Sequence, residues 1–240
     1  MRECDVVLIG GTGVGERLAA FGWPSVAVPT EFGLVRGSEG VHQGRRVMVV
    51  QRHGAGHKNP PHKVNYRAIA RAAQMRRAKA AFSTAAVGCL RADWPVGCLA
   101  VCTDFLDLTF RNLTMHDRQV RHVDFSDPLG GRVHLQAAAD ALGLDVQPKA
   151  VYVGLNGPRY ETPAEIGMVD KLGGDLVGMT ASSEAVCFRE MGVTYGLLGI
   201  VTNLASGLNE GPLTHEEVVE VVGRAGQSAT DLLLKAATLV

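Results

Sequence analysis

Short apolar runs alternate with helical stretches along almost the whole chain. The runs at 6–9, 46–50, 79–83, 98–102, 149–153, 176–179 and 195–201 are rich in β-branched residues. Turn formers bound them, as expected of buried strands. The run at 79–83 leads into a loop at 84–88, and Thr103-Asp104 and Thr202-Asn203 end two others. Helices are predicted over 65–77, over 132–142 with Gly143 as the stop, and over 183–191 with Gly192 as the stop. Two further helices open on capping patterns: Thr162 with Pro163 and Glu165, and Thr214 with Glu217. The stretch from Asp107 to Pro128 is polar and irregular, an excursion of the kind that serves a site or an interface. The alternation predicts an α/β fold, a single domain over 1–240, with a mixed, mostly parallel twisted sheet flanked by helices.

Charge and cysteine usage remove several function classes. The 240 residues carry 24 Lys plus Arg against 24 Asp plus Glu. A nucleic-acid binder or an anionic-membrane binder needs a basic excess, so neither partner is expected. Neutrality favours self-association. The five cysteines, Cys4, Cys89, Cys98, Cys102 and Cys187, sit mostly in apolar runs and form no CxxC pair. That pattern reads as reduced, buried thiols rather than a zinc or redox motif. No run approaches the ~18 apolar residues of a membrane span, and the run at 6–9 is too short for a signal core. The expected compartment is the cytoplasm.

In open α/β sheets ligands bind beyond the carboxyl ends of strands, so polar groups just after the apolar runs carry the most weight. Gly10-Gly11-Thr12-Gly13 exposes backbone N–H groups and a hydroxyl that suit an oxyanion; it serves equally as a tight turn. No Gly-Lys-Ser/Thr follows, and Glu16 occupies the third glycine position of a dinucleotide fingerprint, which opposes an oxidoreductase. Arg52-His53, with His57 nearby, offers a guanidinium fork and imidazoles to an anion. The His53/His57 spacing lacks a third ligand, so no metal is expected. Tyr160-Glu161 pairs an aromatic face with a carboxylate, suited to a flat heterocycle and its edge; packing and helix capping are the alternatives. Met179-Thr180 and Thr202-Asn203 complete the set. Met179 suits a sugar face or the core, and Asn203 offers both a donor and an acceptor.

Taken together, these clusters resemble the trimeric purine nucleoside phosphorylase and methylthioadenosine phosphorylase family. The matching motifs, in order, are residues 10–13 (GGTG), Arg52-His53, 61–67 (PHKVNYR), 85–88 (AAVG), 157–162 (GPRYET), 178–180 (GMT) with Glu184, and Thr202-Asn203. By length and by residues 60–67 (PPHKVNYR) the chain looks like the short bacterial methylthioinosine and methylthioadenosine phosphorylases. The resemblance implies phosphorolysis of a purine nucleoside to free base and pentose 1-phosphate, a homotrimer, and no cofactor beyond phosphate as co-substrate. By position, Thr12, Arg52, His53, the Ala86 N–H and Thr180 would bind phosphate. Met179, Tyr160, Glu161 and Asn203 would bind the nucleoside, and His122 would enter a neighbouring subunit's site. Two positions depart from the family: Ala85 stands where relatives carry Thr or Asn, and Ser182-Ser183 precede Glu184 where relatives often carry Pro.

The chemistry asks for a phosphate held against an oxocarbenium-like sugar and for a donor near N7 of the leaving purine. Arg52 and His53 would serve the first need and Asn203 the second, so these three are the expected catalytic residues. Methylthioadenosine-type enzymes usually place Asp at the position of Asn203. An amide donates to a 6-oxo group, and Glu161 can accept from the N1–H that adenine lacks. Both favour a 6-oxopurine, with 5′-methylthioinosine the expected substrate. A methylthioadenosine phosphorylase, a general inosine/guanosine phosphorylase, a nucleoside hydrolase and a catalytically silent nucleoside sensor are the alternatives.

Overall fold

In the first apolar run successive side chains face opposite sides of the sheet, so its two sets of residues enter two different cores. Val7 and Ile9 face one core, and Val6 and Leu8 face the other. The computed structural model describes residues 2–208 and 214–240. In chain order its elements are β1 (Val6–Gly10), α1 (Val14–Ala19), β2 (Ser25–Thr30), β3 (Gly33–His42), β4 (Arg45–Gln51), a 3₁₀ turn (Pro61–Lys63) and α2 (Tyr66–Met75). Then follow β5 (Ala80–Cys89), β6 (Leu99–Leu108), α3 (Arg132–Leu142), β7 (Val146–Leu155), α4 (Pro163–Lys171), β8 (Leu176–Gly178), α5 (Ala181–Glu190), β9 (Thr194–Leu204) and α6 (His215–Thr238).

The sheet runs β2-β3-β4-β1-β5-β8-β7-β6-β9, and β9 pairs back on β5, so the last five strands close a ring. Helices α2 and α5 pack on one face with Ile69, Phe188 and Tyr195 in the core. Helices α1, α3 and α6 cover the other, with Leu18, Leu135 and Leu232 fully buried. At roughly 25 cal/mol per Å² of apolar surface removed from water, these two layers supply the main driving force for folding. The chain is an α/β protein with a mixed sheet flanked by helices, as the alternation predicts.

Local signals behave as read. Gly143 closes α3 in the left-handed region, φ 63°. Thr162 and Thr214 each form a reciprocal capping box, with Glu165 and Glu217. Two expectations need correction, and one feature was not expected. Residues 84–88 are not a loop: β5 continues through them, paired in parallel with β9, with a bulge at Val87/Gly88. Similarly, β6 runs past Asp104 to Leu108, so the irregular stretch starts at Thr109. Finally, β2 and β3 form an antiparallel extension of the sheet that no apolar run announces.

The extension of β5 creates the site. One edge of β5 is paired with β9 throughout. The other edge is paired with β1 at Ala80–Ser83 and with β8 at Gly88 and Cys89. Between those two partners, residues 84–87 have an open edge.

Candidate active site

A cavity of about 460 Å³ opens at that gap, a volume suited to a nucleoside and a small anion. Its walls come from the carboxyl ends of β1, β4, β8 and β9, the open edge of β5 and the loop after β7. Nine of the ten residues expected from sequence line it. They are the expected anion ligands Thr12, Arg52, His53, Ala86 and Thr180 and the expected nucleoside contacts Met179, Tyr160, Glu161 and Asn203. The tenth, His122, is exposed on the irregular stretch after β6 and does not line this cavity.

Arg52 follows directly on β4 and its side chain is only 1% exposed. Its Nε donates to Glu184 Oε1 at 2.5 Å and its Nη2 to Glu184 Oε2 at 3.1 Å and the Thr84 carbonyl at 2.8 Å. Nη2 also donates to Ser83 Oγ. Glu184 is itself fully buried, and Oε2 accepts from Ser83 Oγ at 2.8 Å and from the Tyr195 hydroxyl at 2.6 Å. Burial opposes the charge on Arg52, but the Glu184 carboxylate more than offsets it, so the guanidinium is held above its ordinary pKa. Burial and the neighbouring Glu184 charge push the Tyr195 phenol far up, which keeps it a donor. Of the guanidinium nitrogens, Nη1 makes no hydrogen bond among the described residues, and a Cβ on Gly11 would lie 2.8 Å from it. The glycine there admits the close approach of Nη1 and of the Thr84 carbonyl, 2.7 Å from the same point.

Backbone donors join the expected anion ligands. The Thr84 carbonyl faces Arg52 across the open edge of β5. Strand groups alternate between edges, so the Ala86 N–H, two residues on, faces the same gap. Thr84 Oγ1 accepts from the Gly11 N–H at 3.1 Å, which fixes the turn after β1 against β5. The first N–H groups of α5, on Thr180 and Ala181, are satisfied by the Tyr152 hydroxyl at 3.1 and 3.2 Å. The Thr180 hydroxyl makes no cap bond and lies on the cavity wall. The His53 Nδ1 lies 2.8 Å from the Asn59 carbonyl, an acceptor, so Nδ1 carries the proton; the ring stacks on His57 at 4.3 Å.

Asn203 is held near the end of β9. Its Nδ2 donates to the Leu204 carbonyl at 2.7 Å, and Thr202 Oγ1 lies 2.8 Å from its Oδ1. The bond to Leu204 sets the amide's orientation and leaves the second N–H of the NH₂ group for a ligand. A Cβ on Gly88 would stand 3.3 Å from Nδ2, so β5 passes close beneath it. Glu161 does not cap α4; Thr162 and Glu165 do. It is 9% exposed, and burial raises its carboxyl above the ordinary value against an opposing backbone hydrogen bond, with Glu165 adding to the rise and Arg159 opposing it. Tyr160 is 37% exposed at the mouth. The sequence reading did not anticipate Lys58, Pro60 or Val218 on the walls, nor the Ser83–Glu184–Tyr195 network behind Arg52. Among the described residues no cluster of three or more metal-ligating side chains occurs, and no helix is long and apolar enough to cross a membrane.

The sequence profile of the phosphorylase superfamily matches residues 5–238. The chain belongs to that superfamily. A 6-oxopurine nucleoside phosphorylase from Pyrococcus furiosus is 36% identical to this phosphorylase over 246 residues, covering 98% of this chain and 92% of that protein. A protein from Methanopyrus kandleri named "Probable S-methyl-5′-thioinosine phosphorylase" is 40% identical over 233 residues, covering 95% and 90%. The crystal structure of a variant adenosine/methylthioadenosine phosphorylase from Schistosoma mansoni with methylthioadenosine superposes with a TM-score of 0.92 at 27% identity, covering 99% of this chain and 91% of that one.

Proposed function

We propose that this phosphorylase cleaves the glycosidic bond of a 6-oxopurine nucleoside with inorganic phosphate, and that 5′-methylthioinosine is its preferred substrate. The reading rests on one observation above others: position 203 presents an anchored amide and not a carboxylic acid, with Glu161 lining the same cavity. An amide N–H supports the purine at N7 or O6, and the Glu161 carboxylate accepts from N1–H. Adenine would leave that carboxylate facing a ring nitrogen with no proton.

Phosphate is proposed to sit against Arg52 Nη1, His53, the hydroxyls of Thr12 and Thr180, and the Ala86 N–H. From there it stabilises the developing oxocarbenium and captures C1′. The C1′–N9 bond breaks with its electron pair going to the purine, and a phosphate oxygen forms the new bond to C1′. Fixed donors in a buried site supply this stabilisation without reorganisation. Inorganic phosphate is the co-substrate, and no other cofactor is proposed. Pro60, Pro61 and Val218 on the cavity wall support an apolar 5′ substituent such as methylthio. The Pyrococcus relative's name favours a second reading, a general 6-oxopurine nucleoside phosphorylase.

The working form is proposed to be a homotrimer in which His122 reaches a neighbouring site. Phe110 and Val120, both 89% exposed on the same stretch, support an interface there. Cytoplasmic residence is proposed from five free cysteines, four of them buried.

The test is base release from inosine, 5′-methylthioinosine and 5′-methylthioadenosine, each with and without phosphate. Strict phosphate dependence and fastest turnover of methylthioinosine are expected. Preference for the adenosine analogue would overturn the base assignment, and equal release without phosphate would overturn phosphorolysis. Light scattering tests the trimer.

A further inference from the structure

We infer that Arg111, outside the cavity, is a positioning residue that ties the Met179 wall to the loop carrying Tyr160 and Glu161. It thereby sets nucleoside affinity separately from phosphate affinity. The inference rests on nucleoside phosphorolysis as the reaction of this cavity.

Arg111 follows β6 directly after a reversal of the chain. Phe110 adopts φ 54° and points outward, 89% exposed, while Arg111 turns back toward the sheet. The Arg111 N–H donates to Thr109 Oγ1 at 3.3 Å, and the Thr109 N–H donates to Asp107 Oδ1 at 3.1 Å, which fixes the turn. From it the guanidinium reaches three elements. Nη1 donates to Ser183 Oγ on α5 at 2.8 Å. Nη2 donates to Asn156 Oδ1 at 3.0 Å and to the Met179 carbonyl at 3.2 Å. The guanidinium carbon also lies 5.3 Å from the ring centre of Tyr66, whose hydroxyl donates to the Pro61 carbonyl at 2.7 Å.

Each tie leads to a wall of the cavity without entering it. Asn156 opens the loop whose later residues are Tyr160 and Glu161, and Met179 contributes its side chain while giving its carbonyl to Arg111. Gly157 marks how tightly the two walls meet: a Cβ there would come within 2.3 Å of Met179 Sδ. Ser182, beside Ser183, donates to Asp107 Oδ1 at 3.2 Å, so the same turn grips the start of α5 twice. Only a planar fork can serve Ser183, Asn156 and Met179 at once; a lysine ammonium on a flexible stem cannot reproduce that geometry. The phosphate side has its own brace, Glu184 on Arg52; Arg111 bonds neither of these nor Thr180, while its partners Met179 and Ser183 adjoin Thr180 and Glu184 along the chain.

The experiment compares Arg111→Lys, Arg111→Gln and Ser183→Ala with the unaltered chain. Steady-state rates with both substrates varied are paired with calorimetric titrations of hypoxanthine and of phosphate. Both Arg111 variants are expected to raise the nucleoside KM and weaken hypoxanthine by about tenfold, as loss of positioning does. Ser183→Ala removes one bond and is expected to cost about twofold to threefold. The phosphate KM should stay within about twofold of the unaltered value. Parallel rises in both KM values, or an unchanged nucleoside KM and hypoxanthine Kd, would overturn the inference. Ser183→Ala keeps it decidable if an Arg111 variant misfolds. If the unaltered chain releases no base with phosphate, the proposed reaction fails, and the hypoxanthine titration still decides the role of Arg111.

Discussion

On the proposed anion side of the cavity the polar groups are withdrawn from water: Arg52, Ser83, Glu184 and Tyr195 are all buried, and both carboxylate oxygens of Glu184 have a donor. On the proposed base side Tyr160 is more than a third exposed, and the ion pair of its neighbour, Arg159–Glu165, lies at the surface with Arg159 63% exposed. Under the proposed phosphorolysis, the difference suits what each side has to do. Inorganic phosphate is one unchanging ion, and a dry, rigid socket strengthens each charge interaction with it. A nucleoside must enter, be recognised and leave its base behind, which suits the more exposed loop that carries Tyr160.

Breaking the anion side should therefore cost the fold itself. Glu184→Ala leaves Arg52 buried and unpaired, and a loss of about 3–5 kcal/mol of unfolding free energy is expected in urea titration. A loss under about 1 kcal/mol would show that water reaches the socket and that the two sides do not differ as described.

Breaking the base side should cost selectivity instead. Glu161→Gln is expected to lower kcat/KM for the 6-oxopurine nucleoside by about tenfold to a hundredfold while leaving the phosphate KM unchanged. The pH profile sharpens this. Burial raises the Glu161 carboxyl above its ordinary value of 4.5. Activity that needs the carboxylate should therefore fall as pH drops through that raised value, and Glu161→Gln should remove that acid limb. The stability sign is opposite: the protonated form suits the fold, so this contribution is present below pH 4.5 and lost as pH rises through the raised value. An acid limb surviving in the variant would assign it elsewhere.

The smallest effect is expected at the loop's anchor. Thr162→Ala removes one half of the α4 capping box and should cost about 1 kcal/mol in denaturant titration. If the loop is the adjustable wall, the nucleoside KM should move with it and the phosphate KM should not.

The central strands were legible because they are buried on both faces and so read as unbroken apolar runs, as in Val6–Gly10. The β2–β3 extension was not, because most of its residues are partly or fully exposed and its sequence includes Ser25, Arg36, Ser38 and Glu39. Candidate ligand groups were legible where they directly follow strands, as Thr12 and Arg52 do. Their supports were not: Ser83 and Arg52 meet Glu184 across 101 and 132 residues of sequence, and no spacing rule connects them. Arg111 was equally silent, a cation in a polar stretch whose value depends on three partners from three elements. The base-edge role proposed for Asn203 is suggested by its residue type, whereas the bond to Leu204 that orients its amide is a backbone contact that sequence does not display.

The interruption between β1 and β8 along β5 has an evolutionary corollary. A main-chain amide exposed by mismatched strand lengths belongs to the architecture and not to any codon, and only proline can delete it. Proline aside, any residue at 86 keeps that amide, whereas Ala85 and Val87 on either side are fixed by the core they fill.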